Sequence, residues 1–284
     1  MLPQAQVSAE RINEVLSTEP SIKGGVVEKS EEEGTVEFRN VSFRYKDSTE
    51  DELSGINFKV EKGKTLAIIG ATGSGKTTLV NLIPRTYDAT QGEVLVDGVN
   101  VKDYTQKALL DKIGFVTQKA TLFSGTIKDN VFFGESKTDY DDADLSEALE
   151  ASQASEFVDK LPEKSEHKIA QLGRNVSGGQ KQRISIARAL ARKPEILVFD
   201  DSFSALDYRT DARLRKELNE KFKGVTKIIV AQRVSTIRHA DEILVLDRGE
   251  TVGRGTHDEL IESCGIYREI AASQTGSQKE EKRV

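Results

Sequence analysis

Residues Gly70 to Thr77 read GATGSGKT, and their types and spacing suit one kind of chemistry. The glycines Gly70, Gly73 and Gly75 permit backbone angles that a Cβ would block, so successive amide N–H groups can converge on an anion. Lys76 adds a cation, and Thr72, Ser74, Thr77 and Thr78 add hydroxyls around it. The pattern GxxxxGK[ST] between a strand and a helix is that of a phosphate-binding loop. Its lysine reaches the β and γ phosphates of a nucleotide and its threonine hydroxyl ligates Mg2+. The context fits: the apolar TLAII precedes the loop, and KTTLVNLI follows it as a helix that Pro84 ends. A glycine-rich turn without a ligand is the plainer alternative, and the strand and helix on either side argue against it.

A second stretch, EILVFDDSFSALD (195 to 207), ends an apolar run in two adjacent carboxylates, Asp200 and Asp201. Two acids at the end of a buried strand are costly unless a cation or a reaction needs them. The Mg2+ partner of a phosphate loop is an acid at the end of a neighbouring strand, and ILVFD supplies Asp200. The purpose of Asp201 is then the open question.

These residues need a frame. The chain has 284 residues, 37% hydrophobic and 31% charged, with a formal net charge of -6; these are the proportions of a water-soluble globular protein with a sizeable core. The acidic balance offers no broad basic face for nucleic acid, so no nucleic-acid partner is expected. A lone cysteine, Cys264, excludes an internal disulfide and suits a reducing, cytoplasmic compartment. The clean apolar runs LAII (66–69), ILVF (196–199), IIVA (228–231) and ILVL (243–246) fall far short of the roughly 18 residues of a membrane span.

From Gly34, alternating TVEFRNVSFRY and INFKVEKGKTLAII predict half-exposed strands of an antiparallel sheet that opens the domain. A helical middle follows, clearest over Asp141 to Lys160. The four apolar runs alternate with helical segments such as GGQKQRISIARALARKPE and TDARLRKELNEKF, which predicts an α/β core built on a parallel sheet. Before the domain, LPQAQVSAERINEVLSTEP has Val7, Ile12, Val15 and Leu16 near one helical face. It reads either as a surface helix packed on the core or as a linker arriving from another domain. TGSQKEEKRV at the end reads as a frayed polar tail.

NVSGGQKQRISIARAL (175 to 190), standing just before the strand of Asp200, completes a set with the phosphate loop that resembles the ATP-binding cassette of ABC transporters, over about Val36 to Ala271. The resemblance implies a RecA-like P-loop NTPase core, an N-terminal antiparallel β subdomain and an inserted helical subdomain at about 119–180, within a domain spanning 34–272. It implies ATP and Mg2+ as cofactors. Tyr45 matches the aromatic that stacks on adenine, and Gln118 the glutamine that contacts Mg2+ and relays the nucleotide's state. TLFSGTIKDNVFFG after it is similar to the exporter version of that relay. Ser177, Gly178, Gly179 and Gln180 match the signature that binds nucleotide held by a second cassette, and SALD (204–207) the loop that touches the opposite site. Family members pair head to tail, so one chain holds halves of two sites. Residues 1–33 resemble the connection from a transmembrane domain in exporters that carry both domains on one polypeptide. Met1 would then be a start added to an excised piece, with the cassette working at the cytoplasmic face of the membrane and 273–284 as its tail.

Two departures bear on mechanism. Hydrolytic members place glutamate after the Mg2+-holding acid; here Asp201 stands there, its carboxylate withdrawn by about 1.3 Å. They place a histidine near the γ phosphate after the strand KIIVA; here it is Gln232, which neither carries a positive charge nor titrates near neutrality. His239, His167 and His257 lie elsewhere. With Lys76, Asp201 and Gln232 are the candidate catalytic residues, and together the changes imply a degenerate half-site: ATP bound, cleavage weak or absent, VSGGQ serving a different partner's competent site in an asymmetric heterodimer. Gln171, where many exporters carry glutamate, is a softer departure. A regulatory ATP sensor without turnover shares every binding residue. A soluble tandem-cassette factor or a DNA-maintenance head fits less well, the latter wanting coiled-coil heptads between Thr77 and Ser177. The transported substrate is not written in these residues.

Overall fold

The computed structural model describes residues 2–134 and 141–281; Met1 and the last three residues of the expected tail lie outside them. Three sheets are present among the described residues. The strands β1 (Val36–Phe43), β2 (Leu53–Val60), β3 (Thr65–Gly70), β4 (Gln91–Val96), β5 (Val99–Asn100) and β6 (Ile113–Val116) are followed by the short β7 (Gly125–Thr126) and β8 (Lys168–Ile169), then by β9 (Ile196–Asp200), β10 (Thr226–Val230), β11 (Glu242–Asp247) and β12 (Glu250–Gly255). The order β2-β1-β4-β5 makes an antiparallel four-stranded sheet. The order β12-β11-β3-β10-β9-β6 makes the central six-stranded sheet, and β7 pairs with β8.

The central sheet is parallel from β11 to β6. Contrary to a purely parallel core, its edge strand β12 returns antiparallel against β11 through a turn with Arg248 and Gly249 in left-handed conformations. Such a connection needs no crossover, and the polar ETVGRG suits an exposed edge. The inner strands are apolar along their middles because both faces are covered, with polar Thr65, Thr226 and Lys227 at strand starts and Asp200 at the end of β9. Their period of two sorts side chains between two cores. Ala67, Ile69, Leu197, Phe199 and Val245 face the helices Gly178–Ala191 and Tyr208–Lys221. Leu66, Ile68, Ile196, Val198 and Leu244 face the four-stranded sheet and the helix Lys76–Asn81.

The N-terminal helix Leu2–Ser17 does not pack on either core: Val7, Ile12, Val15 and Leu16 are all exposed, Leu16 by 79%. Of the two readings of this segment, packing on the core is thus absent. The chain is seated only after it, where Gly25, Val26 and Val27 donate main-chain hydrogen bonds to Tyr104 and Asp103, and Thr105 donates one back to Val27. A Cβ on Gly25 would stand 2.1 Å from the Asp103 carbonyl oxygen, so the close seat requires glycine. At the other end the helix Gly265–Glu281 runs through much of the stretch expected to fray. No helix among the described residues is long and apolar enough to cross a membrane.

Candidate nucleotide site

Parallel strands present their C-terminal ends on one edge of the sheet, where ligands of open α/β sheets bind. Four neighbouring strands contribute here. The phosphate loop leaves β3, Gln232 follows β10, Asp200 ends β9 with Asp201 directly after it, and Gln118 follows β6. The register sets Val230 beside Asp200 and Phe199 beside Val116. Residues far apart in sequence thereby line one cleft of about 170 Å³, among them Thr72, Gly73, Gly75, Lys76, Gln118 and Gln232, with Thr77, Thr78 and Asp201.

In the phosphate loop, Gly75 (φ +93°) is the residue from which the helix Lys76–Asn81 starts. A Cβ there would press on the Leu53 side chain and the Glu52 carbonyl, so glycine serves both the left-handed angle and the close approach of β2. The Ser74 N–H donates to the Ala71 carbonyl at 3.2 Å, closing the loop. The Lys76 ammonium donates to the carbonyls of Gly70 (2.9 Å) and Ala71 (2.6 Å) and to Ser74 Oγ (3.3 Å). Burial holds its pKa below the usual lysine value, against the opposing pull of Asp201 and Asp200. A phosphate would restore what burial removes, which is the affinity such a lysine contributes.

Thr77 Oγ1 donates to Asp200 Oδ1 at 3.0 Å. Asp200 is 4% exposed and Asp201 6%, and burial pushes both carboxyls above the usual range, opposed by hydrogen bonds from Thr77 and from Gln232 respectively. Hard oxygen donors from a hydroxyl and a buried carboxylate fit Mg2+. Gln118 spends its amide nitrogen on Asp201, which leaves its oxygen for a cation.

Asp201 is the most constrained residue of the cleft. It adopts a left-handed φ of 46°, a conformation that costs a non-glycine residue on the order of 1 kcal/mol. The turn is held by its N–H to the Val230 carbonyl at 3.1 Å and by Ser204 Oγ to its own carbonyl at 2.7 Å. Its Oδ2 accepts from Gln232 Nε2 at 2.6 Å and from Gln118 Nε2 at 3.1 Å. The two departures from the family pattern therefore touch each other.

Tyr45 does not line the cleft but touches it through Thr78: it is 38% exposed, its hydroxyl paired with Thr78 Oγ1 at 2.9 Å. Its ring meets Phe43 and Tyr87 edge-on, with centroids 4.8 and 5.4 Å away. Tyr87 and the cleft-lining Glu52 were not signalled by any motif.

The signature lies apart from this cleft. Ser177 caps the helix Gly178–Ala191, its Oγ accepting from the Gln180 N–H while Gln180 Oε1 accepts from the Ser177 N–H at 2.8 Å. Among the described residues outside its own helix and chain neighbours, nothing lies within 4 Å of a Cβ built on Gly178, whereas one on Gly179 would meet the Ala205 carbonyl at 3.3 Å. The signature thus abuts the 204–207 loop, whose Asp207 caps the helix Tyr208–Lys221, and leaves its outer face open.

The comparisons with known proteins agree with this geometry. The ABC transporter family pattern matches residues 53–204. The chain is 41% identical over 266 residues to the ATP-dependent lipid A-core flippase of Aromatoleum aromaticum, covering 94% of this chain and 44% of that protein. It is 43% identical over 281 residues to an uncharacterized ABC transporter ATP-binding protein of Mycobacterium tuberculosis, covering 97% and 48%. The solved structure of a bacterial Atm1-family ABC exporter with ATP bound superposes with a TM-score of 0.88 at 33% identity, over 96% of this chain and 48% of that one. The chain thus spans about half the length of the relatives it matches. By its phosphate loop, its signature helix and these matches, the chain belongs to the ABC transporter family.

Proposed function

We propose that this chain is the ATP-binding part of an exporter, that it grips Mg-ATP in the cleft after β3, and that it cleaves it slowly. The supporting observation is the state of Asp201: its shortened carboxylate is turned onto the amides of Gln232 and Gln118. Cleavage needs a water in line with the γ phosphorus, oriented by a carboxylate. A carboxylate short by about 1 Å and tied by two amides gives up on the order of a hundredfold in rate. Gln232 can donate to a phosphate oxygen but brings no charge to the transition state.

Thr77, Asp200 and Gln118 are the residues that would hold Mg2+, which when bound offsets charge on the β and γ phosphates. Lys76 and the amides of Gly73 and Gly75 hold the phosphates, and Tyr45 stacks on the base. Ser177 to Gln180, open outward, would close over nucleotide held by a second cassette of different sequence, one with a competent carboxylate. A transmembrane domain would take up the motion of closing and opening, placing the pair at the cytoplasmic face of a membrane.

The chain alone, given Mg-ATP, should bind it and release phosphate slowly; the double variant Asp201→Glu, Gln232→His should release it about a hundredfold faster. Fast release by the unaltered chain would sink the reading. In a mixed pair with a glutamate-bearing cassette, Ser177→Arg in this chain should abolish hydrolysis and Asp201→Asn should spare it. The reverse result would exchange the two roles.

A further inference from the structure

Gln232 does not hold its own place. The short helix after it, Val234–Ile237, starts at Arg233, which gives no side-chain cap. The bare N–H of Val234 is met instead from 40 residues away: Gln274 Oε1 accepts from it at 2.8 Å. The same amide's Nε2 donates to the main-chain carbonyl of Gln232 at 2.7 Å. One planar group thus clasps the chain on both sides of Arg233.

Gln274 belongs to the helix Gly265–Glu281. That helix is anchored by the fully buried Tyr267, whose hydroxyl pairs with His257 Nδ1 at 2.8 Å, and by Ile266 and Ile270 against the core. On the far side of the short helix, Arg215 Nη1 donates to the carbonyls of Ser235 (3.2 Å) and Thr236 (3.4 Å). A cavity of about 250 Å³, lined by Val234, Ser235, His257 and Gln274 among others, lies beside the clasp. Beside the core packing of Val234 and Ile237, hydrogen bonds fix this side of the short helix.

We propose that Gln274 is a positioning residue for the nucleotide site: by bridging Gln232 and Val234 it sets where the Gln232 amide meets Asp201. The C-terminal helix is then a lever on the carboxylate corner, and a shift of that helix withdraws Gln232 from Asp201 without touching the phosphate loop. This rests on the reading of Gln232 and Asp201 as parts of the nucleotide site, but its test does not depend on how fast ATP is cleaved.

Three variants of the chain decide it: Gln274→Ala, Gln274→Glu and, as a control that loosens the helix by packing alone, Ile270→Ala. Backbone amide exchange at Val234 and the side-chain amide resonance of Gln232 are followed by NMR with selective glutamine labelling. In Gln274→Ala, Val234 should exchange about tenfold faster, the size of one lost hydrogen bond, and the Gln232 resonance should move. Gln274→Glu keeps the acceptor and loses the donor, so Val234 should stay protected while the Gln232 resonance moves as in the alanine variant. That atom-by-atom split is not expected of a residue that merely anchors a helix. A Gln232 resonance unmoved in both variants, or equal exchange at Val234 in Gln274→Glu and Gln274→Ala, overturns the proposal. Fast ATP cleavage by the parent chain would instead count against the degenerate site and leave these readouts intact.

Discussion

The phosphate loop follows β3 and the corner of Gln118, Asp201 and Gln232 follows β6, β9 and β10 on the same sheet edge, yet the two regions satisfy their polar groups by different means. In the loop the cation is held locally: Lys76 donates to carbonyls five and six residues before it. Those bonds can be exchanged for phosphate oxygens without disturbing another strand. At the corner, Asp201 Oδ2 relies on side chains 31 and 83 residues away, so displacement of any one partner reaches the others. On the proposed function, binding at the loop and turnover at the corner should therefore be separable, with the Thr77–Asp200 hydrogen bond as the link between them.

The largest effect is expected at the loop. Lys76→Ala should lower Mg-ATP affinity about a hundredfold, as expected for losing charge-assisted bonds to two phosphates, measured by titration calorimetry. An affinity unchanged within error would remove the loop from the site. At the corner, Asp201→Glu alone should raise phosphate release roughly tenfold or more with affinity near that of the parent. If affinity and rate move together, the two regions are not independent. Tyr45→Ala should weaken binding roughly fivefold, about 1 kcal/mol of stacking, and leave the rate at saturating ATP alone.

The smallest effect tests the electrostatics. Burial holds the Asp200 carboxyl above the usual range, so the folded chain takes up its proton more readily than the unfolded one. The stability from this group is complete below the unfolded value of about 3.9 and is lost as pH rises through the higher folded value. Asp200→Asn removes that titration while Oδ1 still accepts from Thr77. Its Tm should exceed the parent's at about pH 8, and the gap should close toward pH 4. A gap of constant size would mean that packing, not charge, separates the two.

How far these features could be read from the sequence follows the same division. The phosphate loop, the strand of Asp200 and the signature helix are contiguous, and each carries its own start or stop: Gly75 before one helix, Ser177 before the other, Pro84 after the first. Asp201 and Gln232 were legible only as departures from a pattern. Their mutual contact was not, because it depends on the order β10-β9-β6, which no single segment encodes. The antiparallel return of β12 was missed for a related reason: ETVGRG is too polar and glycine-rich to read as a strand and gains its place from β11. Gln274 was hidden in a stretch next to the expected tail, where composition argued for fraying. The aromatic neighbour Tyr87 had no periodicity to mark it.

The seat of Gly25 to Val27 on Asp103 to Thr105 carries a mechanical consequence. Tension along the incoming backbone is absorbed before it arrives at β1, since the main-chain bonds at Tyr104 and Asp103 intervene. Tyr104 is wholly buried and its hydroxyl holds the Val96 carbonyl at 3.0 Å, so the load enters at the end of β4. Force on the segment before Gly25 should therefore reach the antiparallel sheet through β4 before it reaches β1.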